Sequence, residues 1–298
     1  MAITAADVKK LREATGVAMM DCKKALTETD GDFDKAIKLL REKGLAVSAK
    51  RADRTAGEGI IVFAQSDDKK IGVLVEFNCE TSFVAANDEF VALANGIAKT
   101  ALAGDYADVE DLKAAKLAGT DTVISDAITD IMAKIGEKID CPRFAKVVAN
   151  DNQSLAGYIH LDKLTGVVVT LEGDNAEVVN SDEAVAAGKD VAMHTAWSAP
   201  KYLSVSDVSQ EEIEAEKETQ INRLKNDPKN ANKPENILQG IVQGRLKKEF
   251  FAAMCLTEQP FVKDDKVSVG KYIEDFGKSK GAKIKIAGFV RFKVGEKA

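Results

Sequence analysis

Histidine, cysteine and acidic side chains are where nucleophilic, acid–base or metal chemistry would have to sit, and this chain brings few of them together. His160 and His194 are its only histidines. Each adjoins an apolar residue, Ile159 or Met193, the setting of a hydrogen-bonded structural histidine rather than a ligand. The four cysteines, Cys22, Cys79, Cys141 and Cys255, include no C-x-x-C pair, so neither a zinc knuckle nor a thioredoxin-type site is written here. No G-x-S-x-G elbow marks a nucleophile. Gly188-Lys189, Gly270-Lys271 and Gly277-Lys278 lack the upstream glycine of a phosphate-cradling loop. The run from Asp30 to Asp34 starts like a calcium loop, but Lys35 and Arg41 stand where a glycine and a bidentate glutamate are required. The residues therefore predict no catalytic site, no metal site and no cofactor.

What remains is contact chemistry in two segments. In 11–26, Met19 and Met20 point about 100° apart on a helix, so both cannot sit centrally on one narrow stripe. One is expected to be exposed as a deformable contact surface; the alternative is that both pack into a very small core. In 76–85, Thr81-Ser82-Phe83-Val84 falls at a strand-to-helix turn, where Thr81 or Ser82 can cap the helix that follows. An aromatic there either staples into its own core, the ordinary outcome, or projects into another molecule.

The elements that position these segments follow from hydrophobic period. Thr4 and Asp7 form a capping box ahead of Val8 and Leu11, and Thr15-Gly16 breaks that helix. Met19, Cys22 and Leu26 mark a second helix; Phe33, Ala36, Ile37 and Leu40 mark a third, expected to end at Gly44. Residues 1–45 thus predict a small three-helix bundle of the ubiquitin-associated (UBA) type, and 46–58, which lose the period, a linker. Residues 60–64 and 71–77 read as a hairpin, followed by a helix through Phe90, Leu93, Ile97 and Ala101 and another from Ile124 to Gly136. The second half repeats the order, with a hairpin at 155–161 and 166–171 and a helix at 184–196. The prediction is an α+β fold with two related subdomains on antiparallel sheets, 59–142 and 143–298. An antiparallel helical hairpin at 209–252 is inserted in the second. Its first arm has few apolar positions (Ile213, Ile221, Leu224) and is expected to project into solvent or grip a partner. Residues 284–294 alternate as one long strand.

Composition narrows the class. The chain has 298 residues, 42 Lys+Arg against 48 Asp+Glu for a formal charge of −6, and 45% hydrophobic residues. Net acidity argues against a nucleic-acid binder, despite the local patch of Lys50, Arg51 and Arg54. No apolar run approaches the ~20 residues of a membrane span. The N-terminus enters a helix pattern with no signal or transit segment. A cytoplasmic protein with reduced thiols is expected.

The two contact segments resemble the signature stretches of the bacterial elongation factor Ts family. Further matches keep the same order: Lys134-Ile135-Gly136-Glu137, Gly157-Tyr158-Ile159-His160, Ala192-Met193-His194, the 244–248 and 256–262 runs, and 288–296. The resemblance covers the whole chain. It implies a non-enzymatic guanine-nucleotide exchange factor that binds elongation factor Tu, GDP-bound or nucleotide-free, and releases GDP during translation elongation. No direct nucleic-acid or membrane contact is implied, and a heterodimer and a two-to-two assembly both fit. By resemblance, the surface carrying Val17, Met19 and Met20 docks on the partner's G domain. Thr81, Ser82, Phe83 and Val84 match the family's Thr-Asp-Phe-Val turn, whose Phe wedges into that domain and moves elements holding Mg2+ and the phosphates. The second subdomain would meet the partner's third domain, with His160 and His194 as candidates. Ser82 replaces the family aspartate, so Phe83 is expected to carry the larger share. The chain ends without the extra C-terminal helical module of some members, whose contacts are expected to be absent. The alternative is a UBA-like interaction module that binds without opening a nucleotide site; a hydrolase using His160 or His194 is a third reading.

Overall fold

The N-terminal apolar periods close into three helices, α1 (Ala5–Thr15), α2 (Met19–Glu28) and α3 (Phe33–Arg51). The computed structural model describes residues 3–15, 17, 19–51, 54–227 and 233–296. Thr4 and Asp7 cap α1 reciprocally: the Asp7 N–H donates to Thr4 Oγ1 at 3.2 Å and the Thr4 N–H to Asp7 Oδ2 at 3.0 Å. Val8, Leu11, Cys22, Ala25, Leu26, Ala36 and Leu40 fill the small core. Helix α3 does not stop at Gly44, so the segment expected to be a linker from residue 46 begins as helix. Gly44 lies instead within α3, where the helix meets the next subdomain. A Cβ there would lie 3.4 Å from the Ala133 Cβ and 3.7 Å from Thr129 Cγ2, on a helix of the next subdomain.

That subdomain runs β1 (Glu58–Gln65), β2 (Ile71–Cys79), α4 (Ser82–Ala85), α5 (Asp88–Ala103), α6 (Val109–Ala114), α7 (Ile124–Ile135) and β3 (Ile139–Val148). The strands form an antiparallel sheet in the order β1-β2-β3. Its apolar face packs on α5 and α7 through Val75, Phe77, Phe90, Ile97, Ile124 and Ile131. Strand β3 was not expected. Pro142, Arg143 and Lys146 interrupt its pattern; Pro142 is tolerated because β3 is an edge strand, where its missing donor is exposed, while Arg143 and Lys146 are paired with Glu76 and Asp105.

The second subdomain runs β4 (Gln153–Ile159), β5 (Thr165–Gly173), α8 (Ala176–Val179), α9 (Asp182–Ser198), α10 (Gln210–Asn226), α11 (Glu235–Arg245), α12 (Ala252–Met254), β6 (Pro260–Phe261), β7 (Asp264–Ser268), α13 (Val269–Ser279) and β8 (Ile284–Lys293). Its antiparallel sheet has the order β4-β5-β8. The two halves repeat in register. Buried positions 90, 93, 94, 97, 98, 100 and 101 of α5 recur at 184, 187, 188, 191, 192, 194 and 195 of α9. Each helix also follows a four-residue helix at the same distance from its strand. The architecture is α+β with two related subdomains.

The sheets meet through Ile61, Leu74, Ala149, Leu155, Val168 and Phe292. A buried ion pair fastens the same junction. Glu76 accepts from Arg143 Nε at 2.6 Å and from the Gly295 N–H at 2.8 Å, while Arg143 lies 4.3 Å over the Phe292 ring. Helices α10 and α11 form the expected hairpin, closed by Leu224, Leu238, Val242 and Leu246. Part of its expected polar tip, 228–232, lies outside the described residues.

Candidate functional site

The turn after β2 is built from the sheet outward. Strand β2 ends at Cys79, paired with Glu58 on one side and Ile139 on the other. Burial pushes the Cys79 thiol up to about 12, so it stays protonated and donates to the Thr81 carbonyl at 3.1 Å. Thr81 has extended backbone and caps α4, its hydroxyl accepting from the Val84 N–H at 3.5 Å. The helix through Phe90 is a separate element capped by Asn87, whose Oδ1 accepts from the N–H groups of Glu89 and Phe90. So the cap expected from Thr81 or Ser82 belongs to a single intervening turn. Within that turn Val84 is buried in the core. One residue back around the helix, the Phe83 ring is 88% exposed. Phe83 therefore does not staple its own subdomain. Ser82 is exposed beside it.

The N-terminal bundle presents a second apolar surface. Met19 is 45% and Met20 63% exposed, so both, rather than one, face outward. The stripe of α2 that faces the core is Cys22, Ala25 and Leu26; both methionines lie in the first turn, ahead of it. Val17 is half-buried, and its carbonyl accepts from the Cys22 thiol at 3.5 Å. Helix α7 lies between the bundle and the turn. Helix α3 packs on it at Gly44, and the last turn of α7 is tied to α5 by the Lys134–Glu89 ion pair. Gly136, left-handed at φ 88°, then ends α7 and delivers Glu137 to Thr81.

The structure separates the two histidines. His160 is exposed at the end of β4, its Nδ1 3.0 Å from the Tyr158 hydroxyl, with Leu161 exposed next to it. This hairpin turn sits against the start of β1: the Ile61 N–H donates to the Lys163 carbonyl at 2.7 Å. Since Ile61 pairs with Glu76, three residues before the end of β2, the His160 turn and the Phe83 turn lie toward the same end of the paired sheets. His194 is only 1% exposed. Its Nδ1 accepts from the Val262 N–H at 3.2 Å and its Nε2 lies 2.9 Å from Gln259 Oε1, an arrangement that assigns the proton to Nε2. Burial holds this imidazole below its ordinary value of 6.5, the Gln259 bond opposing in part. His194 is a satisfied core histidine and offers no surface to another molecule. The exposed Trp197, whose ring meets the His194 ring edge-on at 6.3 Å, was not anticipated; its place in the last turn of α9 carries no periodic signal.

Among the described residues, no three His, Cys, Asp or Glu side chains gather to hold a metal ion, and no helix is long and apolar enough to cross a membrane. The surface offers groups for contact: a braced aromatic, a pair of exposed methionines and an exposed hairpin turn.

The family model of elongation factor TS matches residues 80–296, from the strand-to-helix turn to the end of the last strand. Elongation factor Ts of Alkalilimnicola ehrlichii (strain MLHE-1) is 46% identical over 296 residues, covering 99% of this chain and 93% of that protein. That of Clostridium botulinum (strain Eklund 17B) is 44% identical over 294 residues, with the same two coverages. That of Halothermothrix orenii is 43% identical over 297 residues. Likeness of this degree along nearly the whole length places the chain in the elongation factor Ts family.

Proposed function

We propose that the protein is a guanine-nucleotide exchange factor for elongation factor Tu in translation elongation, and that the Phe83 ring is its working part. The observation that carries this reading is a large apolar ring, 88% exposed, on a turn fixed to the fold by the Thr81 cap and the buried Val84. GDP on a GTPase is held by phosphate contacts and a bridging Mg2+. A rigid aromatic pressed between the side chains that support those groups removes charge neutralisation from the phosphates and loosens the nucleotide. Few rotors and a large apolar area make Phe suited to that role. Ser82 contributes no carboxylate, so displacement of the metal supports falls to the ring.

Val17, Met19 and Met20 supply an adaptable docking surface for the G domain, and His160 with Leu161 a second contact on a separate domain of the partner. Anchoring at both places lets Phe83 act without itself holding the complex together. The protein performs no bond chemistry of its own. Coupling is reciprocal: the factor by which the exchanger weakens GDP is the factor by which GDP weakens the exchanger. Release of a fluorescent GDP analogue from elongation factor Tu tests the reading. Substoichiometric protein is expected to accelerate release, and binding without acceleration would establish the non-exchanging module instead.

A further inference from the structure

The β2–β3 ladder ends where Cys79 pairs with Ile139. Beyond it the strands diverge, yet the next backbone donors are bonded, and carboxylates stand in for the missing carbonyls. The Lys138 N–H donates to Glu80 Oε1 at 2.6 Å, and the Thr81 N–H donates to Glu137 Oε2 at 3.0 Å. The two segments thus clasp each other, each supplying one carboxylate. Glu137 adds a second bond, its Oε1 accepting from the Thr81 hydroxyl at 2.8 Å. That bond directs the hydroxyl hydrogen toward Glu137 and leaves a lone pair for the Val84 N–H.

We propose that Glu137 is a positioning residue for Phe83, a role that rests on the exchange reading above. A helix of four residues has no stability of its own, since nucleation is unfavourable and its bonds are too few to offset it. Its orientation must come from outside. Two charge-assisted bonds from one carboxylate fix the Thr81 cap, the cap fixes which residue of α4 faces inward, and the burial of Val84 leaves Phe83 outward. Glu137 is itself held in place, because α7 is packed into the core by Ile124, Ile128, Ile131 and Met132 and ends at the left-handed Gly136. Without the carboxylate, α4 frays and the ring samples orientations that do not enter the partner, so the fraction of formed complexes in which the ring is engaged falls.

Glu137→Ala removes both acceptors, where a glutamine could keep both bonds by donating its amide to the Thr81 hydroxyl. In the free variant, amide hydrogen exchange at Thr81 and Val84 is expected to rise about tenfold, while α5 and α7 keep their protection. In GDP release from elongation factor Tu, the maximal rate is expected to fall about tenfold, with the half-saturating concentration changed less than about threefold. In a Phe83→Ala background the same substitution is expected to have no further effect on that rate. Unchanged Thr81 exchange, a wild-type release rate, protection lost throughout α5 and α7, or an equal loss in the Phe83→Ala background would each overturn the positioning role. Release insensitive to Phe83→Ala itself would instead overturn the exchange reading, and the hydrogen-exchange result on the free protein would still decide whether Glu137 holds the turn.

Discussion

Truncating Phe83 to alanine separates partner contact from internal packing more cleanly than any other substitution in this chain. The ring is 88% exposed, so its removal creates no cavity, and folding stability should change by less than about 0.5 kcal/mol. In the complex the balance is different. Complete burial of a phenylalanine removes about 150–250 Å2 from water, which at about 25 cal/mol per Å2 is roughly 4–6 kcal/mol as an upper bound. Ordering of the ring and its new neighbours offsets part of this, leaving about 2–4 kcal/mol, the usual range for a central aromatic contact. At 1.36 kcal/mol per tenfold, that is roughly a 30- to 900-fold slower release at limiting exchanger. On the proposed mechanism the loss falls on the maximal rate, because there the ring acts in the opened state while the methionine surface and the His160 turn hold the complex.

The assay is stopped-flow release of a fluorescent GDP analogue across a range of exchanger concentrations, paired with a thermal melt of the free variant. A Phe83→Ala protein with an unchanged melt and an unchanged maximal rate refutes the reasoning outright. A melt lowered by more than about 4 °C would show instead that the ring belongs to its own subdomain. Ser82→Asp supplies the contrast: it restores a carboxylate to the turn and should change release only a few-fold. Many-fold acceleration there, with Phe83→Ala nearly silent, would transfer the work from ring to charge.

Three further substitutions test the scaffold. Glu76→Ala strands Arg143 at a buried junction and leaves the Gly295 N–H without its acceptor; a loss of about 3–5 kcal/mol is expected by chemical denaturation. Gly59→Ala requires a Cβ 2.3 Å from the Phe77 carbonyl oxygen at a φ of 151°, so a loss of about 2–4 kcal/mol is expected, without specific loss of exchange in the folded fraction. His194→Ala leaves Gln259 and the Val262 N–H without their ring partner and should lower stability by about 1–3 kcal/mol with the maximal release rate intact. The wild-type protein should also carry a pH signature of this histidine. Its folded-state pKa lies below 6.5, so the unfolded chain takes up the proton first. The stabilisation is full above 6.5 and is lost as pH falls through the lower native value. Thermal melts between about pH 7.5 and 5 should show that slope in wild type and a shallower one in His194→Ala.

The elements that were legible in the sequence are those whose burial repeats with a local period. Phe90, Leu93, Ile97 and Ala101 announce α5 because each lies on the one stripe that meets the sheet. The same stripe on α9 carries His194 inward, at positions that begin with Ala184 and Ala187. Its burial was therefore readable from the period, and the reading of the residues as structural holds over the candidacy implied by resemblance. Strand β3 was hidden because an edge strand answers to its neighbour on one side only, which lets Pro142, Arg143 and Lys146 break the alternation. Gly44 looked like a stop because glycine commonly ends helices. A glycine inside a helix has the same letter, and here α3 continues past it while packing on the helix that carries Ala133.

The Phe83 turn shows why contact residues are harder to read than cores. Phe83 and Val84 are adjacent apolar residues on a helix too short to display a period, and either could be the one that faces inward. Rotating α4 by one residue, about 100°, would exchange them and convert an exposed ring into a staple. The ordinary expectation for an aromatic at such a bend is the staple, and the structure takes the other register. The register is set by the cap at Thr81, and the cap is held by a carboxylate 56 residues further along the chain, carried there by a helix whose end depends on Gly136. Composition and spacing can say that an aromatic stands at a bend. Which way it points is decided by a tertiary contact, and with it whether the chain has a lever at all.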